Sequence, residues 1–173
     1  MSPRPGMSMV IDRVDDSDHV IGTISRAEVF RAHANFRVVH VFLFHSDRQL
    51  ILQQLAPTRE RNPGRWGSSV AAYLFSGESY AAAAHRRLRE ELSIDNLDLD
   101  VVGKTVMNDE GCHKYITLIR AVHDGPLRPD PTHIADLQFA ELRSVARMVS
   151  EHPDAFTPTF LHVFDFFRSQ STH

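Results

Sequence analysis

Residues 76–94 read SGESYAAAAHRRLREELSI, a glycine–acid turn followed by an alanine-rich stretch ending in three arginines and two glutamates. The stretch predicts one helix from about Ser79 to Leu92 in the middle of a chain that otherwise reads as short β-branched runs. SMVIDRV and HVIGTIS flank the polar turn DDSD as a hairpin, and RVVHVFLF and QLILQQL flank HSDR as a second strand pair. Ser25, with Glu28 three residues on, suggests a capping box opening a short helix over RAEVFRAHA. APTRERNPGRWG, polar, basic and broken by Pro and Gly, is expected as an exposed loop, and SSVAAYLF as a weak strand. Beyond the helix, LDLDVVGKTVM, KYITLIRAV and DLQFAEL read as strands, and LRSVARMVSEHP and FTPTFLHVFDFFRS as amphipathic helices. The order lacks the regular βαβ alternation of a doubly wound sheet. It predicts an α/β or α+β sandwich, with helices packed on a mixed sheet.

The helix also poses a chemical question. Carboxylates in a last turn face the negative end of the helix dipole, so Glu90 and Glu91 need a positive compensator. The neighbouring arginines are one; a metal ion with a phosphate-bearing ligand is another. As surface pairs, Arg86–Glu90 and Arg87–Glu91 contribute only about 0.3–0.5 kcal/mol each. Position 87 shares a helix face with Glu90 and Glu91, and acids at all three would form a cluster suited to Mg²⁺ or Mn²⁺. Glu78, at the mouth of the helix, is placed to join them.

Bulk properties narrow the classes. A chain of 173 residues suits one domain: a loose tail over residues 1–8, then a single domain over 9–170. A net charge of -3 gives no broad polyanion-binding surface, so no nucleic-acid partner is expected. The single cysteine, Cys112, rules out an internal disulfide and fits a reducing compartment. No apolar run approaches the roughly 20 residues of a membrane span, and the start lacks the apolar core of a signal peptide. The expectation is a cytoplasmic chain without membrane contact.

The segment from residue 72 to 94 resembles the Nudix box: Gly, five residues, Glu, seven residues, Arg-Glu, an aliphatic, any residue, Glu-Glu, any residue, Gly, an aliphatic. Glu78, Arg86, Leu88, Glu90, Glu91 and Ile94 fall on their box positions. Ala72, Arg87 and Ser93 depart, standing for the first glycine, the first glutamate after the box arginine and the last glycine. VIDRVDDSDHVIGTISRAEVF, VVHVFLFHSDRQLILQQ, GRW and PDAFTPTF extend the similarity to the branch of type 1 isopentenyl-diphosphate isomerases and related Nudix hydrolases. The resemblance implies a Nudix-like α/β/α sandwich around a central mixed sheet. It implies hydrolysis of a diphosphate linkage in a nucleotide or other organic diphosphate, with Mg²⁺ or Mn²⁺ on Glu78, Glu90 and Glu91. Arg86 would orient these carboxylates, Glu90 or Glu91 would activate water, and Arg87, Gly77 and Trp66 would contact substrate. A homodimer also fits the family.

The departures keep other readings open. Where the isomerases carry a catalytic cysteine and a histidine two residues later, this chain has Ala71 and Tyr73. Two further isomerase carboxylate positions align with Cys112 and Lys114, while His33 and His40 keep the spacing of two isomerase histidine ligands. Isomerase chemistry thus loses a principal acid. Arg87 removes a metal ligand and adds a charge that disfavours a dication, although its planar fork suits a phosphate oxygen. A catalytically silent domain that binds a diphosphate or a protein partner is the alternative. Asp109 and Glu110 are further candidates for a base, and RERNPGR reads as a solvated loop or an anion-steering one.

Overall fold

A computed structural model describes residues 9–170; the tail expected over residues 1–8 lies outside the described residues. β1 (Val10–Val14) and β2 (Val20–Ser25) form the first hairpin. The remaining strands are β3 (Phe36–His45), β4 (Gln49–Leu55), β5 (Trp66–Gly67), β6 (Val70–Tyr73), β7 (Asp100–Asp109), β8 (Cys112–Val122) and β9 (Ile134–Glu141). They build one seven-stranded sheet of order β5-β4-β3-β8-β7, with β6 beside β3 and β9 beside β4. The β3–β8 pair is parallel and the other pairs are antiparallel, so the sheet is mixed as expected.

Three helices cover it: α1 (Tyr80–Leu92), α2 (Leu142–Glu151) and α3 (Pro158–Gln170). The two-residue period of β3 explains the layering. Phe36, Val38, Phe42 and Phe44 point into a core shared with Phe160, Val163, Phe164 and Phe167 of α3. Val39, Val41 and Leu43 point the other way, onto Ala83, Ala84, Leu88 and Leu92 of α1. Each of these large side chains contributes about 1.5–3 kcal/mol by burial. The result is an α/β/α sandwich.

The expected capping box at Ser25 fails. Arg26–Glu28 make only a short 3-10 turn, and Ser25 forms no side-chain cap. His33 turns left-handed (φ 52°), so the segment stops before one face can be buried, and a nucleus that short does not sustain an α-helix.

One irregularity positions the site. β3 pairs with β4 only at Phe44–Leu50 and His45–Gln49, then with β6 at Val38–Val41. Where the ladder changes partner, Ser69 holds the strands together. Its Oγ donates to Ile51 O (2.5 Å) and accepts from Leu43 N–H (2.8 Å), and its carbonyl accepts from Gln53 Nε2 (2.8 Å). A cleft opens in this splay.

Candidate active site

The cleft has a volume of about 730 Å³ and lies between the splayed strands, the last turns of α1 and the 56–65 loop. α1 begins where the sequence suggests. Ser79 caps it, accepting Ala82 N–H at 3.1 Å. Gly77 supplies the positive φ (78°) of the entering turn, and its N–H donates to Asp12 Oδ2 at 3.2 Å. At the far end Ser93, standing where the box has glycine, adopts the left-handed cap geometry (φ 58°, ψ 40°) a glycine would take.

The box side chains form a closed network of charges. Arg86 is bidentate to Glu78 (Nε–Oε2 2.9 Å, Nη2–Oε1 3.0 Å), reaches Glu90 Oε1 at 3.1 Å and Tyr73 O at 3.0 Å, and lies 3.8 Å over the Phe75 ring. Arg87 donates Nε to Ala71 O at 3.0 Å and pairs with Glu90 Oε2 (3.1 Å) and Glu91 Oε2 (3.2 Å). Glu91 is only 1% exposed. Arg59 approaches it at 3.4 Å and Gln53 Nε2 at 3.2 Å. Three carboxylates therefore meet three guanidiniums.

A second network lies across the cleft. Asp109 accepts a fork from Arg61 (2.8 and 3.1 Å) and the Lys114 ammonium (2.7 Å), which also donates to Thr159 Oγ1 at 2.6 Å. Burial raises the Asp109 carboxyl, but the Arg61 and Lys114 partners outweigh it and hold the group below the usual carboxylate value. Burial is also the largest influence on Lys114 and lowers its pKa, which Asp109 opposes. His40, inside β3, is fully buried with Nδ1 2.7 Å from Ser68 Oγ. Burial first, then Lys114 and His162, push its pKa down to about 3, so it stays a neutral imidazole.

The structure sorts the residues expected at the site. Arg86, Arg87 and Glu91 line the cleft, whereas Glu78, Glu90, Gly77 and Trp66 do not. Trp66 packs against the core beneath α3, and its carbonyl accepts Thr157 N–H at 2.9 Å. His33 sits against Gly111 in the β7–β8 turn, away from His40 and the cleft lining. Cys112 is buried with its Sγ 3.8 Å from Val29 O. The 56–65 loop is largely exposed, as expected, but the Arg59 and Arg61 side chains turn inward onto Glu91 and Asp109. Arg59 and Arg61 belong to the basic run RERNPGR, for which anion steering is one expectation, whereas nothing in the sequence pattern points to Arg26, Asp130 or His133.

The donor set does not suit a divalent metal. Among the described residues no group of three or more His, Cys, Asp and Glu side chains is placed to share an ion. The set expected from the sequence, Glu78, Glu90 and Glu91, is not assembled, because each carboxylate is engaged by a guanidinium. The positive charge that Arg87 brings completes that neutralisation.

The NUDIX domain family profile matches residues 34–160. An isopentenyl-diphosphate Delta-isomerase of Streptomyces avermitilis is 31% identical, covering 91% of this chain and 83% of the relative. A protein of Pseudomonas aeruginosa described as an uncharacterized Nudix hydrolase is 30% identical over 73% of this chain and 75% of its own length. Among solved structures, a Deinococcus radiodurans protein superposes with a TM-score of 0.79 at 21% identity, covering 92% of this chain and 98% of that one. These families generally use divalent metals, and Nudix membership supports hydrolysis of a diphosphate-containing substrate. Among the described residues no helix is long and apolar enough to cross a membrane. The match over most of the sequence, the sandwich fold and the box helix on the cleft wall together establish that this chain belongs to the Nudix family.

Proposed function

We propose that the cleft receives the diphosphate group of a small organic diphosphate, with hydrolysis of the phosphoanhydride as the activity its family supports. One observation carries the reading: Arg26, Arg59, Arg61, Arg86, Arg87 and Lys114 line a cleft whose only lining acids are Glu60 and Glu91. Such a wall attracts a polyanion and stabilises the charge that develops on phosphoryl oxygens during displacement. A proton acceptor for water is at hand in His133, which lines the cleft with Nδ1 3.0 Å from Asp130 Oδ2. That contact orients the imidazole and leaves Nε2 for the reaction.

The second reading is a domain that binds its diphosphate without turnover. The full pairing of Glu78, Glu90 and Glu91 with arginines favours it, since no carboxylate of the box is left for another partner. Isomerase chemistry is the weakest of the three. Ala71 and Tyr73 do line the cleft, and Cys112, the only cysteine, does not.

The test is release of phosphate or pyrophosphate from nucleoside diphosphates, dinucleotide diphosphates, nucleotide sugars and prenyl diphosphates, each in Mg²⁺, Mn²⁺ and EDTA. Release identifies the hydrolase and its substrate class. Binding without release selects the silent domain. Neither binding nor release from any compound sinks both.

A further inference from the structure

We infer that the cleft binds a diphosphate through side-chain cations alone, with Arg87 and Lys114 supplying the charge that a divalent metal would otherwise provide. The inference rests on the diphosphate reading above and deepens it.

Around the end of α1, Glu78, Glu90 and Glu91 are balanced by Arg86, Arg87 and Arg59; opposite, Asp109 alone faces Arg61 and Lys114. Taken together the two networks hold more cations than carboxylates, and Arg26, 4.8 Å over the Tyr73 ring, adds another at the wall. A dication entering here meets a net positive field, and to gain a ligand it must displace a guanidinium from a carboxylate. A diphosphate meets the opposite situation. It brings the negative charge that the two networks lack.

Geometry agrees. Arg59 gives only Nη1 to Glu91, at 3.4 Å, so most of its fork remains for an anion. Lys114 is 6% exposed yet lines the cleft, and Asp109 and Thr159 fix its ammonium there. The ion pairs on Glu91 and Asp109 therefore act as positioning contacts. They hold the arginines and the lysine in place before the ligand arrives, so less side-chain freedom is lost on binding. The two cationic positions come from different elements, Arg87 from α1 and Lys114 from β8, and both lie on the same cleft.

Calorimetric titration of the full chain with inorganic pyrophosphate in EDTA tests this, beside a titration with Mn²⁺ alone followed by paramagnetic resonance. The expected result is pyrophosphate binding in EDTA that added Mg²⁺ does not strengthen, and no Mn²⁺ site. Arg87→Glu should weaken pyrophosphate binding in EDTA about tenfold or more. Should Arg87→Glu fail to fold by circular dichroism, Arg87→Gln and Lys114→Met are each expected to show the same loss of pyrophosphate affinity. Pyrophosphate binding that needs a metal, or a Mn²⁺ site in the unmodified chain, overturns the inference and leaves the diphosphate reading intact. Absence of pyrophosphate binding with and without metal removes both.

Discussion

The Arg87 guanidinium lies 3.2 Å from Glu91 Oε2 while its Nε donates to the Ala71 carbonyl at 3.0 Å, so one side chain ties the last turn of α1 to β6. The two box glutamates consequently differ. Glu91 is buried and holds Arg87, Arg59 and Gln53, whereas Glu90 is 39% exposed and pairs with Arg86 and Arg87 at the surface.

Glu91→Gln should therefore cost about 1–3 kcal/mol of stability, because two partly buried guanidiniums lose their charged acceptor. Glu90→Gln should cost less than about 1 kcal/mol. Urea unfolding of the two variants measures the difference, and equal costs would remove the structural role given to Glu91.

Ser93→Gly should stabilise the chain. Ser93 closes α1 in the left-handed region, with its N–H bonded to Arg89 O and the Ile94 N–H reaching Leu88 O at 3.3 Å. A residue with a Cβ is strained there by about 1–2 kcal/mol, part of which a glycine returns as chain entropy in the unfolded state. The net expected gain is about 0.5–1 kcal/mol, or roughly 1–4 °C in Tm for a chain of this size. An unchanged or lower Tm contradicts this account of the cap.

What the sequence revealed follows from how local each feature is. The α1 helix, its Gly77 turn and the alternating faces of β3 are set by neighbours in the chain, and they appear where the pattern puts them. The electrostatics of the cleft are not local. Arg59 meets Glu91 across 32 residues and Arg61 meets Asp109 across 48, so a basic run that reads as solvated finds buried partners only once the sheet has formed. Lys114 sits in a strand whose register with β3 places it on the cleft; the resemblance to the isomerases marks its position, but its pairing with Asp109 and Thr159 comes only from the folded chain. The Ser25 segment is the converse case. Its capping pattern is present, but only the packing decides whether a helix follows it.

Acid should destabilise the fold through His40. The folded chain keeps this imidazole neutral down to about pH 3, whereas an unfolded chain protonates it near 6.5. Between those values the unfolded state binds more protons, so stability falls as pH drops through that window and is fully present above it. The slope is at most about 1.4 kcal/mol per pH unit for one group. Burial lowers the pKa of His162 as well, and it acts in the same direction. His40→Asn should flatten the profile of unfolding free energy between pH 6 and pH 4 on the order of one proton's worth. A profile that parallels the unmodified chain would show that His40 is not held neutral.

Asp130 and His133 pair at the cleft wall, with Nδ1 of the imidazole 3.0 Å from Oδ2 of the carboxylate. Asp130 is anchored by its own N–H to Glu91 O at 2.8 Å, which fixes this loop against the end of α1. Its carboxylate is held below the usual range, chiefly by the Thr132 N–H and then by His133. The imidazole is thus oriented from a partner that stays charged, and His133 itself lines the cleft beside Arg59. If the chain hydrolyses its diphosphate, His133→Gln should lower turnover about 100-fold by removing the proton acceptor. Pyrophosphate affinity in EDTA should stay within about twofold, because the cations that hold the anion are untouched. A loss of affinity equal to the loss of rate would make His133 a binding residue, and full turnover in the variant would assign the proton transfer to another group.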